Sequence, residues 1–166
     1  MNEPIIIKSI SEIESKFDNF IIDQWGVIHN GKIAYKYALK CIEKLYSMKK
    51  NIILVSNSSK KSIISIKRLK KLGFNIKYFK NVITSGQVIH EELNHPSLSW
   101  SKKLGNNYYY ISNNSNIKND SLIKDLKKNR VNEINKANFI LGSTVNPKIS
   151  IIDYVPLLKD GLKNNI

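Results

Sequence analysis

The chain has 166 residues, 42% hydrophobic and 24% charged, with 27 basic against 13 acidic side chains and a net charge of +14. This composition excludes wholesale disorder and allows one packed domain of ordinary size, or one and a fraction. No apolar run has the length of a bilayer span, and the acid-containing start, MNEPIIIKSISEIE, lacks the form of a secretory signal, so a cytoplasmic protein without a membrane partner is expected.

In chain order, Ser11 followed three residues later by Glu14 has capping-box spacing for a short helix. NFIID, residues 19–23, is a continuous apolar run of the kind buried on both faces of a parallel sheet. It stops at Asp23 and turns at once through Gln24, Trp25 and Gly26. A carboxylate there is either a turn cap reaching solvent or a catalytic or metal-binding acid at the carboxyl edge of a sheet. From Tyr35 to Lys50 apolar residues recur at 35, 38, 39, 42, 45 and 46, a helical period. The lone cysteine, Cys41, lies in that segment, allows no internal disulfide and is expected as a small buried hydrophobe.

NIILVS, residues 51–56, is a second buried strand, and residues 59–74 a second helix with Gly73 at the C′ position. Its basic run, KRLKKLG at 67–73, is expected as a solvated helix face. Most cations are Lys, spread along a chain also rich in Asn and Ile. That joint excess points to compositional bias and not to a specific nucleic-acid surface. NVITSG at 81–86 is a third strand and QVIHEELN a helix behind it.

Strand and helix therefore alternate over residues 1–93, the pattern of right-handed βαβ crossovers and a parallel sheet. Ligands of such sheets sit at the carboxyl ends of strands, where Asp23, Ser56 and Ser85 all fall. Residues 94–107 change texture to Pro, Ser, Gly and Asn, a linker signal. Beyond them YYYIS reads as strand, DSLIKDLKKN (120–129) as helix, ANFILGS as strand, and IIDYVPLLKDGLKNN as a final helix that Pro156 starts or kinks. A second α/β domain over 94–166 is expected.

FIIDQWGVIHNG followed by NIILVSNSSKKS, with VITSG and IIDYVPLLKDGL further on, resembles the haloacid dehalogenase (HAD) superfamily, and within it the class IIA, NagD-like branch and its D-x-W-G-V subgroup. The resemblance implies an α/β fold: a Rossmann-like parallel sheet, the N-terminal part of a HAD core, followed by an incomplete C2-type α/β cap. It implies a phosphohydrolase acting on a small phosphorylated metabolite, such as a sugar phosphate or nucleotide. Asp23 would be the nucleophile that forms an aspartyl-phosphate, and Mg2+ would lie between Asp23 and the Trp25 backbone carbonyl. The Ser56 hydroxyl and the Asn57 N–H would hold phosphate, Gly26 would let the chain turn, and His29 and Asn30 would line either the entrance or a surface loop. Ser85 is the weakest candidate for substrate contact.

Two departures accompany the resemblance. Trp25 stands where family phosphatases carry a second Asp, the general acid/base, and indole cannot replace it. The Lys motif and the G-D-x-x-x-x-D motif that follow in the family are absent. The expectation is an N-terminal fragment, inactive alone, whose partners include a separately encoded C-terminal portion or a second copy. The alternative is a catalytically impaired phosphate or sugar-phosphate-binding protein of the same fold. A basic nucleic-acid-binding module, resting only on the charge, comes last.

Overall fold

In a computed structural model, the structure describes residues 6–113, 117–164 and 166, Lys118 by its backbone alone. They form two compact units, one of residues 1–56 and 62–83, the other of residues 57–61 and 84–166.

The first unit holds a sheet ordered β1 (Asn19–Asp23), β2 (Asn51–Ser56), β3 (Asn81–Thr84). β1 and β2 are parallel, with Phe20 opposite Ile52, Ile22 opposite Leu54 and Asp23 opposite Val55. A parallel pair needs a crossover, and α1 (Lys36–Ser47) supplies it. Its apolar stripe sends Ile42 and Leu45 into a core with Ile52 and Leu54 of β2 and Leu69 of α2 (Ser62–Lys71). Gly73 ends α2 as expected: its φ is +91°, and the Phe74 N–H reaches back to the Leu69 carbonyl at 3.0 Å.

The expectation of a strand buried on both faces fails for β1. Phe20 and Ile22 pack on the core, but Ile21 is 72% exposed on the other face. Side chains of α1 and α2 share the core with Phe20 and Ile22, whereas the Ile21 face stands open to solvent. The capping box also sits two residues earlier than its spacing suggests. Glu12 Oε1, and not Glu14, accepts from the N–H groups of Lys8 at 2.9 Å and Ser9 at 3.2 Å.

The second unit holds a parallel sheet ordered β5 (Asn129–Val131), β4 (Asn107–Ile111), β6 (Phe139–Gly142). Tyr108, Tyr110, Phe139 and Leu141 pack with Leu93 of α3 (Ser85–Asn94) and Leu122. The Thr84 hydroxyl caps α3 by accepting from the Gln87 N–H at 3.2 Å. The final helix forms as α5 (Val155–Lys163), with Pro156 in its first turn. Asn165, in the stretch read as that helix, lies outside the described residues.

Residues 120–129 are not helical. Asp125 has φ +64°, which ends any right-handed turn. The carbonyls that a helix would use are taken elsewhere: that of Lys124 by Lys61 Nζ at 2.8 Å and His90 Nε2 at 3.0 Å, that of Asp125 by Asn94 Nδ2 at 3.3 Å. Tertiary bonds outweigh a helical period in so short a segment. The chain leaves it directly into β5, a strand that the sequence pattern does not announce.

The supposed linker carries a short helix, α4 (Ser99–Lys103). Glu92 organises its approach, accepting from the Leu98 N–H at 2.7 Å, the Ser97 N–H at 2.6 Å, the Ser97 hydroxyl at 2.8 Å and the Ser101 hydroxyl. These donors, the Leu98 N–H foremost, hold its carboxyl at about 2. A carboxyl depressed on folding stabilises above its ordinary range, and that contribution is lost as pH falls through its folded value. Glu92→Gln is therefore expected to lower the urea midpoint at neutral pH. The gap from the parent should close as pH falls toward about 2; a gap independent of pH would contradict this.

Candidate functional site

β1 is built from residues that favour strand, and its last residue faces water: Asp23 is exposed. Its Oδ1 accepts from the Gln24 N–H at 2.7 Å, so one oxygen caps the turn while the carboxylate remains at the surface. The turn-cap expectation for Asp23 is thus met, and capping uses only part of its acceptor capacity.

A compact loop follows. The Gln24 carbonyl accepts from Ile28 N–H at 3.0 Å, and the His29 carbonyl accepts from Gly26 N–H at 2.8 Å. The buried Gln24 side chain is tied to α2 by the Ser65 hydroxyl, which donates to Oε1 at 2.6 Å. Gly26 has φ +80°, a conformation that costs other residues about 1–2 kcal/mol. Among the described residues no hydrogen bond reaches the Trp25 carbonyl. The Trp25 side chain is 62% exposed; its ring meets His29 edge-on at 5.9 Å and lies over Gly31.

His29 is buried, and its Nδ1 accepts from the Gly31 N–H at 3.0 Å, which leaves the proton on Nε2. Burial holds its imidazole below the ordinary range; nearby Arg68 adds to this, its own backbone hydrogen bond and the charge of Asp23 oppose it. Asn30 is turn chemistry, with Oδ1 accepting from Ile33 N–H at 2.9 Å and Lys32 N–H at 3.0 Å. Sequence reasoning missed the contact between Trp25 and Gly31. Gly31 has φ +85°, and a Cβ there would collide with the indole ring. Gly26, by contrast, has open space around it. Gly26→Ala is expected to cost only its strain of about 1–2 kcal/mol, and Gly31→Ala more. In urea titrations, Trp25→Ala should recover part of the Gly31→Ala loss and none of the Gly26→Ala loss.

Ser56 ends β2 one residue beyond Val55, the register partner of Asp23. The pleat sends alternate residues to opposite faces. What Asp23 and Ser56 share is therefore the carboxyl edge of two adjacent strands, not one face. Ser85 directly follows β3 as the first residue of α3, and its hydroxyl donates to Asn57 Oδ1 at 2.9 Å, within the second unit. The same unit fixes the rest of residues 57–61. The Ser58 carbonyl accepts from Gly86 N–H at 2.9 Å, the Ser143 hydroxyl donates to Ser59 Oγ at 3.1 Å, and Lys60 Nζ lies 3.5 Å from the buried Asp120. Among the described residues no acceptor takes the Asn57 N–H.

Asp23 and the Trp25 carbonyl are hard oxygen donors two residues apart, and Mg2+ is commonly held by one or two carboxylates with water and phosphate completing its shell. Their chemistry fits that ion. They are a sparse set, however, for among the described residues no three acidic, His or Cys side chains cluster as metal ligands. No helix among these residues is long and apolar enough to cross a membrane.

Residues 20–99 match a family described as haloacid dehalogenase-like hydrolase. A haloacid dehalogenase-like hydrolase from Brucella suis superposes with a TM-score of 0.78 at 21% identity, over 98% of this chain and 58% of its own. A glycerol phosphate phosphatase from Mycobacterium tuberculosis, solved with calcium, superposes with a TM-score of 0.56 at 16% identity, over 86% of this chain and 38% of its own. In sequence, the chain is 30% identical over 112 residues to a Caenorhabditis elegans protein described as a NipSnap protein; the match covers 66% of this chain and 20% of that one. The α/β fold with parallel sheets is thus the fold of HAD-type hydrolases.

Proposed function

From a chain with the HAD fold and that family's sequence signature over residues 20–99, we propose a phosphohydrolase acting on a small phosphorylated metabolite, of the NagD-like class IIA branch. One observation carries the proposal. An exposed carboxylate, Asp23, closes the first strand beside the end of β2, and the loop after it leaves the Trp25 carbonyl unbonded. Asp23 supplies the attacking oxygen. A new bond forms from its carboxylate to phosphorus while the bond from phosphorus to the leaving oxygen breaks, and that oxygen keeps the electron pair. With Trp25 in the loop, its proton comes from water. Water then attacks the aspartyl-phosphate, releasing phosphate and regenerating the carboxylate. The Ser56 hydroxyl and the adjoining Asn57 N–H are the phosphate donors. Mg2+, held by Asp23 and the Trp25 carbonyl, would offset the negative charge that gathers as carboxylate and phosphate approach.

The test is hydrolysis of p-nitrophenyl phosphate with Mg2+, by this chain and by its Asp23→Asn variant. Loss of hydrolysis in the variant supports the assignment, and unchanged turnover removes it. A second reading, a phosphate-binding protein that keeps the fold without turnover, is favoured by Trp25 and by the sparse donor set. Calorimetric binding of a sugar phosphate with no phosphate release would establish it.

A further inference from the structure

The basic run that the sequence assigns to a solvated face lines a concavity. A cleft of about 490 Å³ opens in the first unit between the turn at Gly31 and α2. Lys32 enters from the turn, and Lys67, Arg68 and Lys71 from α2, where Lys71 neighbours Lys67 at i, i+4 and Arg68 at i, i+3. Ile64 and Leu72 form an apolar floor, and no acidic residue lines the cleft. All four cations are exposed, and none is in an ion pair among the described residues.

We propose that this cleft binds a small anion carrying two or more phosphate groups, at a site distinct from Asp23. Four like charges around one concavity repel one another, and a compact multivalent anion relieves that repulsion at all four at once. Arg68 adds a planar fork suited to phosphate oxygens. It lies close enough to the turn for its charge to act on His29. The volume falls within the range of small-molecule sites, and the cations reach one concavity from two elements, the turn and α2. That favours a small polyphosphate over a nucleic-acid backbone. The cations crowd the last turns of α2, whose free carbonyls repel anions, so binding depends on the side chains.

The probe is inorganic tripolyphosphate, titrated calorimetrically into the full chain at low salt without Mg2+. One ion should bind per chain. Lys67→Gln with Lys71→Gln should weaken it by about tenfold or more, whereas Lys70→Gln with Lys80→Gln, an equal change of charge outside the cleft lining, should cost less than about threefold. Asp23→Asn should leave binding unchanged, and since no turnover is read, this holds whether or not the phosphatase assignment stands. Equal losses in the two double variants would reduce the effect to net charge and overturn the proposal. So would loss of binding in Asp23→Asn, or tighter binding of single-stranded RNA at equal phosphate concentration.

Discussion

Asp23→Asn is expected to abolish Mg2+-dependent hydrolysis, by about 10³-fold or more, the scale on which nucleophile removal acts in hydrolases that form covalent intermediates. An amide has no free oxygen lone pair of comparable basicity, so no acyl phosphate forms. The substitution is nearly isosteric, and Asn Oδ1 can still accept from the Gln24 N–H that Asp23 caps at 2.7 Å. Because residue 23 is exposed, the change in stability should stay within about 0.5 kcal/mol. Beryllofluoride, which mimics a phosphorylated carboxylate, gives a second readout that slow turnover cannot obscure. Binding of beryllofluoride with Mg2+ should be seen in the parent and lost in the variant. Equal binding in both would mean that the acceptor is another group.

How much of this was legible depended on where the information lay. β2 falls on NIILVS because an apolar run between turn residues and basic helices has few other solutions. Gly73 announces the end of α2 because only a residue free to take φ near +91° closes that turn cheaply. The exposed outer face of β1 was not legible. NFIID has the same texture as NIILVS, and only the tertiary packing reveals that the Ile21 face stands open to solvent. Residues 120–129 misled for the opposite reason. Their spacing is helical, but side chains from distant segments, Lys61, His90 and Asn94, hold their carbonyls.

At the site, Asp23 and Ser56 were readable as strand ends, because a polar residue closing an apolar run marks an edge. The burial of His29 was not, since a loop residue that faces solvent and one that packs into the loop share the same composition. Ser85 was drawn to the edge by the same strand-end logic. It does follow β3 directly, but its bond to Asn57, joining positions 28 apart in the chain, was not legible.

Trp25→Asp is expected to raise kcat for alkyl phosphates by about 10²–10⁴-fold, the usual range for general acid/base catalysis. The loop should tolerate the change. Trp25 is largely exposed, and its hydrogen-bonded neighbours, Gln24, Gly26 and His29, close the loop through backbone groups. Removing the ring also clears the space over Gly31. The Trp25 carbonyl is unaffected, so the oxygen donors for a cation are kept. What is gained is a carboxyl two residues from Asp23. The negative charge of Asp23 raises its affinity for a proton, as an acid acting near neutral pH requires. The gain should depend on the leaving group. An alkoxide cannot depart unprotonated, whereas p-nitrophenolate can, so the p-nitrophenyl ester should speed up far less. Trp25→Asn, which fills the same volume without a titratable proton, should leave kcat near that of the parent. Equal acceleration by Asp and Asn would show that the indole merely obstructs the site. No acceleration by either would mean that the missing acid is not what limits this protein.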